Sequence, residues 1–176
     1  MNNLSHLCKT LLVSTGLCLF AVPGSPISAL AQTPKLLSTA TTYNHTSAWD
    51  STYYFTVTVP NTATALQTIA LTQITGLEAI DFDLPASYAF TGTSDRQGEK
   101  LGISLAKGSQ PQTVIVNLNQ AIAPGQTVTI ALKPLRNPHY EGVYQFRVQS
   151  LAADKQTTNY GLGTGRLQFY GVVDTE

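Results

Sequence analysis

Few residues of this 176-residue chain have the types and spacing that chemistry requires. Asp81 and Asp83 alternate within Ala79-Ile80-Asp81-Phe82-Asp83-Leu84. On a strand they would share a face roughly 6.5–7 Å apart, a separation at which two carboxylates could act on a glycoside. A sugar cleft also calls for exposed tryptophan, and the single Trp, Trp49, falls outside the expected strands. A solvated face, or a guard against edge pairing, is the simpler account of the pair. Asp95 and Glu99 bracket Arg96-Gln97-Gly98 in the loop from Gly92 to Lys100. Hard cations take several oxygen ligands. Here the Asp-x-Asp-x-Asp-Gly loop is absent, and Arg96 and Lys100 offer both acids local partners. Nucleophilic catalysis needs a base beside an activated hydroxyl. His139 has a carboxylate nearby in Pro138-His139-Tyr140-Glu141, but no Gly-x-Ser-x-Gly elbow accompanies it. His45 falls in a segment rich in Thr and Ser without period. These residues favour a protein that is not an enzyme and holds no metal or cofactor. A secreted hydrolase and a calcium-binding envelope protein are the alternatives.

The run Gly161-Leu162-Gly163-Thr164-Gly165-Arg166 fits neither a dinucleotide nor a phosphate loop. No lysine follows its last glycine, and a strand rather than a helix comes next. Glycines there serve a turn or a bulge. The loop best equipped for recognition carries Arg136, Asn137, His139 and Tyr140, with Arg166 a further cation able to join it. These five residues form the candidate partner-binding set, since loops on a rigid sandwich are where binding concentrates. The same loop is more simply a structural corner around Tyr144.

The elements that would position these groups begin after an export signal. Lys9 precedes the uncharged apolar run Thr10 to Val22, Pro23-Gly24 breaks it, and Ser28-Ala29-Leu30-Ala31 ends in small residues. That is the three-part pattern of a secretory signal. The run is too short to span a membrane, which takes about 20 residues. Residues 1–31 are expected to be removed between Ala31 and Gln32, leaving a periplasmic or secreted protein with no membrane span. Cys8 and Cys18 both lie in the signal, and Leu17 before Cys18 argues against lipid attachment. The mature chain then has no thiol, disulfide or thiolate metal site. Charged residues make up 11% of the chain and the net charge is zero, which gives no footprint for nucleic acid or anionic lipid. An envelope or extracellular partner is the remaining expectation.

Residues 32–51 read as a flexible lead-in and 52–176 as a β-sandwich. Thr52 to Val59 alternates strictly, placing Tyr53, Phe55, Val57 and Val59 on one face. Thr68 to Ile74, Ala79 to Leu84, Leu101 to Leu105, Thr113 to Leu118, Thr127 to Leu132, Val143 to Ser150 and Arg166 to Val173 continue the pattern. Period-two alternation marks half-buried strands. The expected fold is all-β: an immunoglobulin-like sandwich of about seven to eight short strands. An outer-membrane barrel would need strands of about 9–11 residues. In Gly142-Val143-Tyr144-Gln145-Phe146, Tyr144 takes the place of the corner tyrosine of immunoglobulin domains. Its hydroxyl should bond back to the preceding corner, with Phe146 in the core.

Several motifs together resemble a known family. They are Tyr54-Phe55-x-Val57-x-Val59-Pro60, the segment Gly76 to Phe82, Ala89-Phe90-x-Gly92 and Pro124-Gly125-x-Thr127-Val128-Thr129. Leu135-Arg136-Asn137-Pro138, Gly142-Val143-Tyr144-x-Phe146-x-Val148 and Gly161-Leu162-Gly163-x-Gly165-Arg166-Leu167-x-Phe169-Tyr170 complete them. The chain resembles small secreted cyanobacterial proteins catalogued only as a domain of unknown function. The resemblance implies a signal peptide and an all-β fold, and carries no catalytic or binding residues.

Overall fold

The structure, a computed structural model, describes residues 32–151 and 159–171. The expected signal, including Ala31, lies outside them, as do Val172 and Val173. The described residues form ten strands: β1 (Lys35–Thr41), β2 (Tyr53–Thr58), β3 (Leu66–Thr75), β4 (Phe82–Thr93), β5 (Arg96–Leu101), β6 (Ile103–Lys107), β7 (Thr113–Ile122), β8 (Thr127–Pro134), β9 (Gly142–Leu151) and β10 (Tyr160–Phe169). They pair antiparallel in two five-stranded sheets, ordered β1-β2-β8-β4-β5 and β10-β9-β3-β7-β6. Among the described residues there is no helix. The order β1-β2-β8 matches strands A-B-E of an immunoglobulin domain, and β10-β9-β3 matches G-F-C. Strands β4 to β7 fill the far side of both sheets.

The expected sandwich is present, with ten strands rather than seven or eight. Strand β5 escapes a pattern search because Arg-Gln-Gly-Glu-Lys-Leu is almost wholly exposed. It has no apolar face to announce it. Strand β1 lies in the segment expected to be a flexible lead-in. It pairs with β2 and lies against β10 at the open side of the sandwich. The glycines of β10 make this contact feasible: a Cβ at Gly165 would come within 2.4 Å of Thr39 Oγ1 and 3.2 Å of the Phe55 ring. A bulge between Gly161 and Gly163 also fits the role expected of that run. The strand itself starts at Tyr160 rather than Arg166. Strand β4 runs on to Thr93 but loses register between Asp83 and Tyr88, where Pro85 has no N–H to give. Asp83 accepts the Ala86 N–H there (3.2 Å), and the Ser87 hydroxyl donates to the Asp83 carbonyl (2.7 Å).

Tyr53, Phe55, Val57 and Val59 are all fully buried, as the alternation demands. They meet Ile69, Leu71, Phe146 and Phe169 of the second sheet. Phe146 sets its ring edge-on to Phe55 (5.4 Å between centroids) and to Tyr53 (6.3 Å), the arrangement that aromatic quadrupoles favour. The corner expected at Tyr144 is formed. Its ring is buried and its hydroxyl donates to the Tyr140 carbonyl at 3.0 Å. Gly76 passes directly over that ring with φ at 143°. A Cβ there would sit 2.2 Å from Tyr144 Cδ1, so no side chain fits.

Candidate functional site at the loop pole

One end of the sandwich gathers the loop 42–52 between β1 and β2, the loop 76–81 between β3 and β4, the loop 135–141 between β8 and β9, and residues 170–171 after β10. Backbone hydrogen bonds stitch these segments together. Tyr170 and Asn44/Thr46 exchange bonds at 2.9 Å, Ser47 N–H donates to the Pro138 carbonyl (3.0 Å), and Leu135 N–H to the Asp81 carbonyl (2.9 Å). His45, expected in a flexible lead-in, is part of this seam through its bridge to Tyr170.

Asn137 holds the seam together. It is completely buried. Its backbone N–H donates to Ala48 (2.7 Å), and its side-chain nitrogen donates to the carbonyls of Tyr43 (3.0 Å) and His45 (2.8 Å). Its side-chain oxygen accepts from the Tyr53 hydroxyl at 2.9 Å. Every polar group of the side chain is engaged, as a buried amide requires. Asn137 therefore leaves the candidate binding set as a contact residue and becomes its scaffold.

On this scaffold sit six of the eight exposed large hydrophobic side chains among the described residues: Tyr43, Trp49, Leu77, Leu135, Tyr140 and Tyr170. Trp49 and Leu77 are 76% and 74% exposed. Between Trp49 and Leu135 lies a cleft of about 250 Å³, lined also by Glu78, Ile80, Asp81, Arg136 and Pro138. The Glu78 carboxylate accepts the His139 backbone N–H and faces His139 Nδ1 at 3.5 Å. Asp50, beside Trp49, is bonded to Lys133 Nζ at 2.7 Å, and that bond holds its carboxyl below the usual carboxylate range. Asp81 and Arg136 have no hydrogen-bond or ion-pair partner for their side chains among the described residues.

The sequence candidates divide accordingly. Arg136 faces the cleft, His139 is tied to Glu78, and Tyr140 stands exposed while its carbonyl serves the Tyr144 corner. Arg166 does not join them. It lies on β10 beside Leu36 and Thr39 of β1. Of the two aspartates, Asp81 precedes β4 and lines the cleft, and Asp83 accepts the Ala86 N–H in its local turn. Asp95 sits in the tight β4–β5 turn, its carboxyl lowered first by a hydrogen bond from Thr93. Among the described residues no group of three or more His, Cys, Asp or Glu side chains is placed to hold a metal. Sequence reasoning missed Trp49, set aside for lying outside the strands. No local signal marked it, because the contacts that fix its neighbours Ala48 and Asp50 come from Asn137 and Lys133, more than 80 residues away.

Residues 27–169 match the family described as "Protein of unknown function (DUF2808)". The chain belongs to that family. The match spans all ten strands and the three loops of the pole, and ends just before residues 170–171. A search among curated proteins finds no match. The crystal structure of BslA, described as a bacterial hydrophobin, aligns with 82% of this chain and 98% of its own at 17% identity, with a TM-score of 0.48. At that level of similarity the comparison is silent on function. No helix among the described residues is long and apolar enough to cross a membrane.

Proposed function

We propose that this is an exported, non-catalytic β-sandwich that binds a cell-envelope or extracellular partner through the loop pole. One observation carries the reading: the exposed large hydrophobics collect on loops at a single end. Large apolar side chains left exposed together at one end are what interaction sites present. The rigid stitching beneath it supports the same reading, because a preordered surface loses little entropy on binding. The engagement of Asp83 in its local turn, and the tie between His139 and Glu78, support binding over hydrolysis. Export rests on the N-terminal sequence, and mass analysis of the mature protein is expected to find Gln32 at its N-terminus. A chain still beginning at Met1 would refute the cleavage.

The surface itself is tested by Leu77→Asp combined with Tyr140→Asp. Both side chains are exposed and neither lines the cleft. Stability should change by no more than about 0.5 kcal/mol per site, as for ordinary surface positions. Retention on isolated envelope fractions is expected to fall at least tenfold. Unchanged retention of the folded variant would remove the loop pole as the contact surface.

A further inference from the structure

We propose that the cleft beside Trp49 is a saccharide site that takes a neutral, polyhydroxylated ring. The inference rests on the envelope-binding reading and gives its partner a chemistry. Trp49 supplies the platform. An indole left in water forgoes the stabilisation that burial would give it. Its neighbour Ala48 is tied to the buried Asn137, and Asp50 on the other side pairs with Lys133 at the surface. Its face therefore stays presented without further ordering of the backbone. The C–H face of a pyranose is the flat, weakly polar surface that stacks on such a ring, and Leu135 and Pro138 continue the apolar wall.

The polar groups narrow the choice. Glu78 is occupied by His139, which leaves the Asp81 carboxylate and the Arg136 guanidinium as the free polar side chains of the cleft. One only accepts hydrogen bonds and the other only donates. Both are planar and bidentate, the geometry that grips two neighbouring hydroxyls. Their charges cancel. An anionic ligand would meet Asp81 and a cationic one Arg136, whereas a sugar hydroxyl both donates and accepts. The volume of about 250 Å³ lies just under the roughly 300–1,000 Å³ of pockets for drug-sized ligands. It has room for one ring, with the rest of a chain running out over Trp49.

Trp49 is the single tryptophan of the sequence; it also borders the hollow of Tyr43 and His45, so Asp81 and Arg136, which line the cleft and not that hollow, assign a fluorescence change to the cleft. The mature protein is titrated with chitohexaose, cellohexaose and soluble mannan, and with phosphatidylcholine vesicles. A saturable emission shift is expected with at least one saccharide. It should weaken at least tenfold in Asp81→Ala and in Arg136→Ala, with the unliganded spectrum and the circular dichroism unchanged. No saturable shift with any saccharide, a shift indifferent to both substitutions, or a shift with vesicles alone would overturn the site. If the saccharides fail while the Leu77/Tyr140 variant still loses envelope retention, the sugar chemistry is wrong and the loop-pole reading stands. If that variant also keeps its retention, both fall.

Discussion

Asn137→Ala is expected to cost about 3 kcal/mol of folding stability and to lower Tm by roughly 6–12 °C. The loss comes from the partners left behind. The Tyr53 hydroxyl points from the core to Asn137 and loses its acceptor in a place water does not reach. The carbonyl of His45 loses a donor, whereas that of Tyr43 keeps Thr41. A buried group left unpaired costs about 1–3 kcal/mol, more than a typical hydrogen bond contributes net. Asn137→Asp separates this account from simple loss of volume. The carboxylate could still accept from Tyr53, but it would face the carbonyls of Tyr43 and His45 without a proton to offer. Its burial raises its pKa, so this variant should be weakest near pH 7 and recover as the pH falls. Thermal melts of both variants at pH 7 and pH 4.5 provide the check. Equal stability of Asn137→Ala and the parent would mean that the seam is held by backbone alone.

The second large effect is alkaline. Burial, and then the nearby Tyr144 and Glu78, push the Tyr53 hydroxyl far above its ordinary value of 10.0. Burial likewise raises Tyr144 and Tyr54. For Tyr53, the unfolded chain releases its phenolic proton near pH 10 while the folded protein keeps it. Above that pH the native state binds the extra proton, so stability falls as pH rises. Tyr53 alone contributes a slope approaching about 1.4 kcal/mol per pH unit. The contribution is fully present below pH 10 and declines above it. Urea unfolding at pH 8, 9.5, 10.5 and 11 should show the decline, and Tyr53→Phe should flatten it by one proton's worth while lowering stability throughout. An equal slope in parent and variant would show that Tyr53 ionises as freely folded as unfolded.

Local pattern made the inner strands readable. Four inward residues of Thr52 to Val59 are buried because one face of β2 meets the core. The Tyr144 corner was also legible, since it depends on a short segment and its own preceding turn. Edges were harder. Strand β1 has partly covered faces and β5 almost none, so neither shows clean alternation. In the site, polarity misled. Asn137 sits among Arg136, His139 and Tyr140 and looks like them, but only tertiary contact reveals that it faces inward. Asp81, Arg136 and Trp49 were each visible as residues. Their meeting depends on three loops returning to the same end, which no window of sequence contains.

The contact between β1 and β10 also dictates an order of assembly. Strand β1 is made early, but the glycines that seat it are made last. The neighbouring pairs β2–β8 and β3–β9 likewise join distant stretches of chain. Long loops must close before such pairings return any free energy, which places folding in the slow, millisecond-to-second range typical of β-sandwiches. Nascent β2 keeps one bare edge until β8 arrives. The seam at Gly163 and Gly165 can close only once β10, the tenth strand in chain order, is available to receive β1.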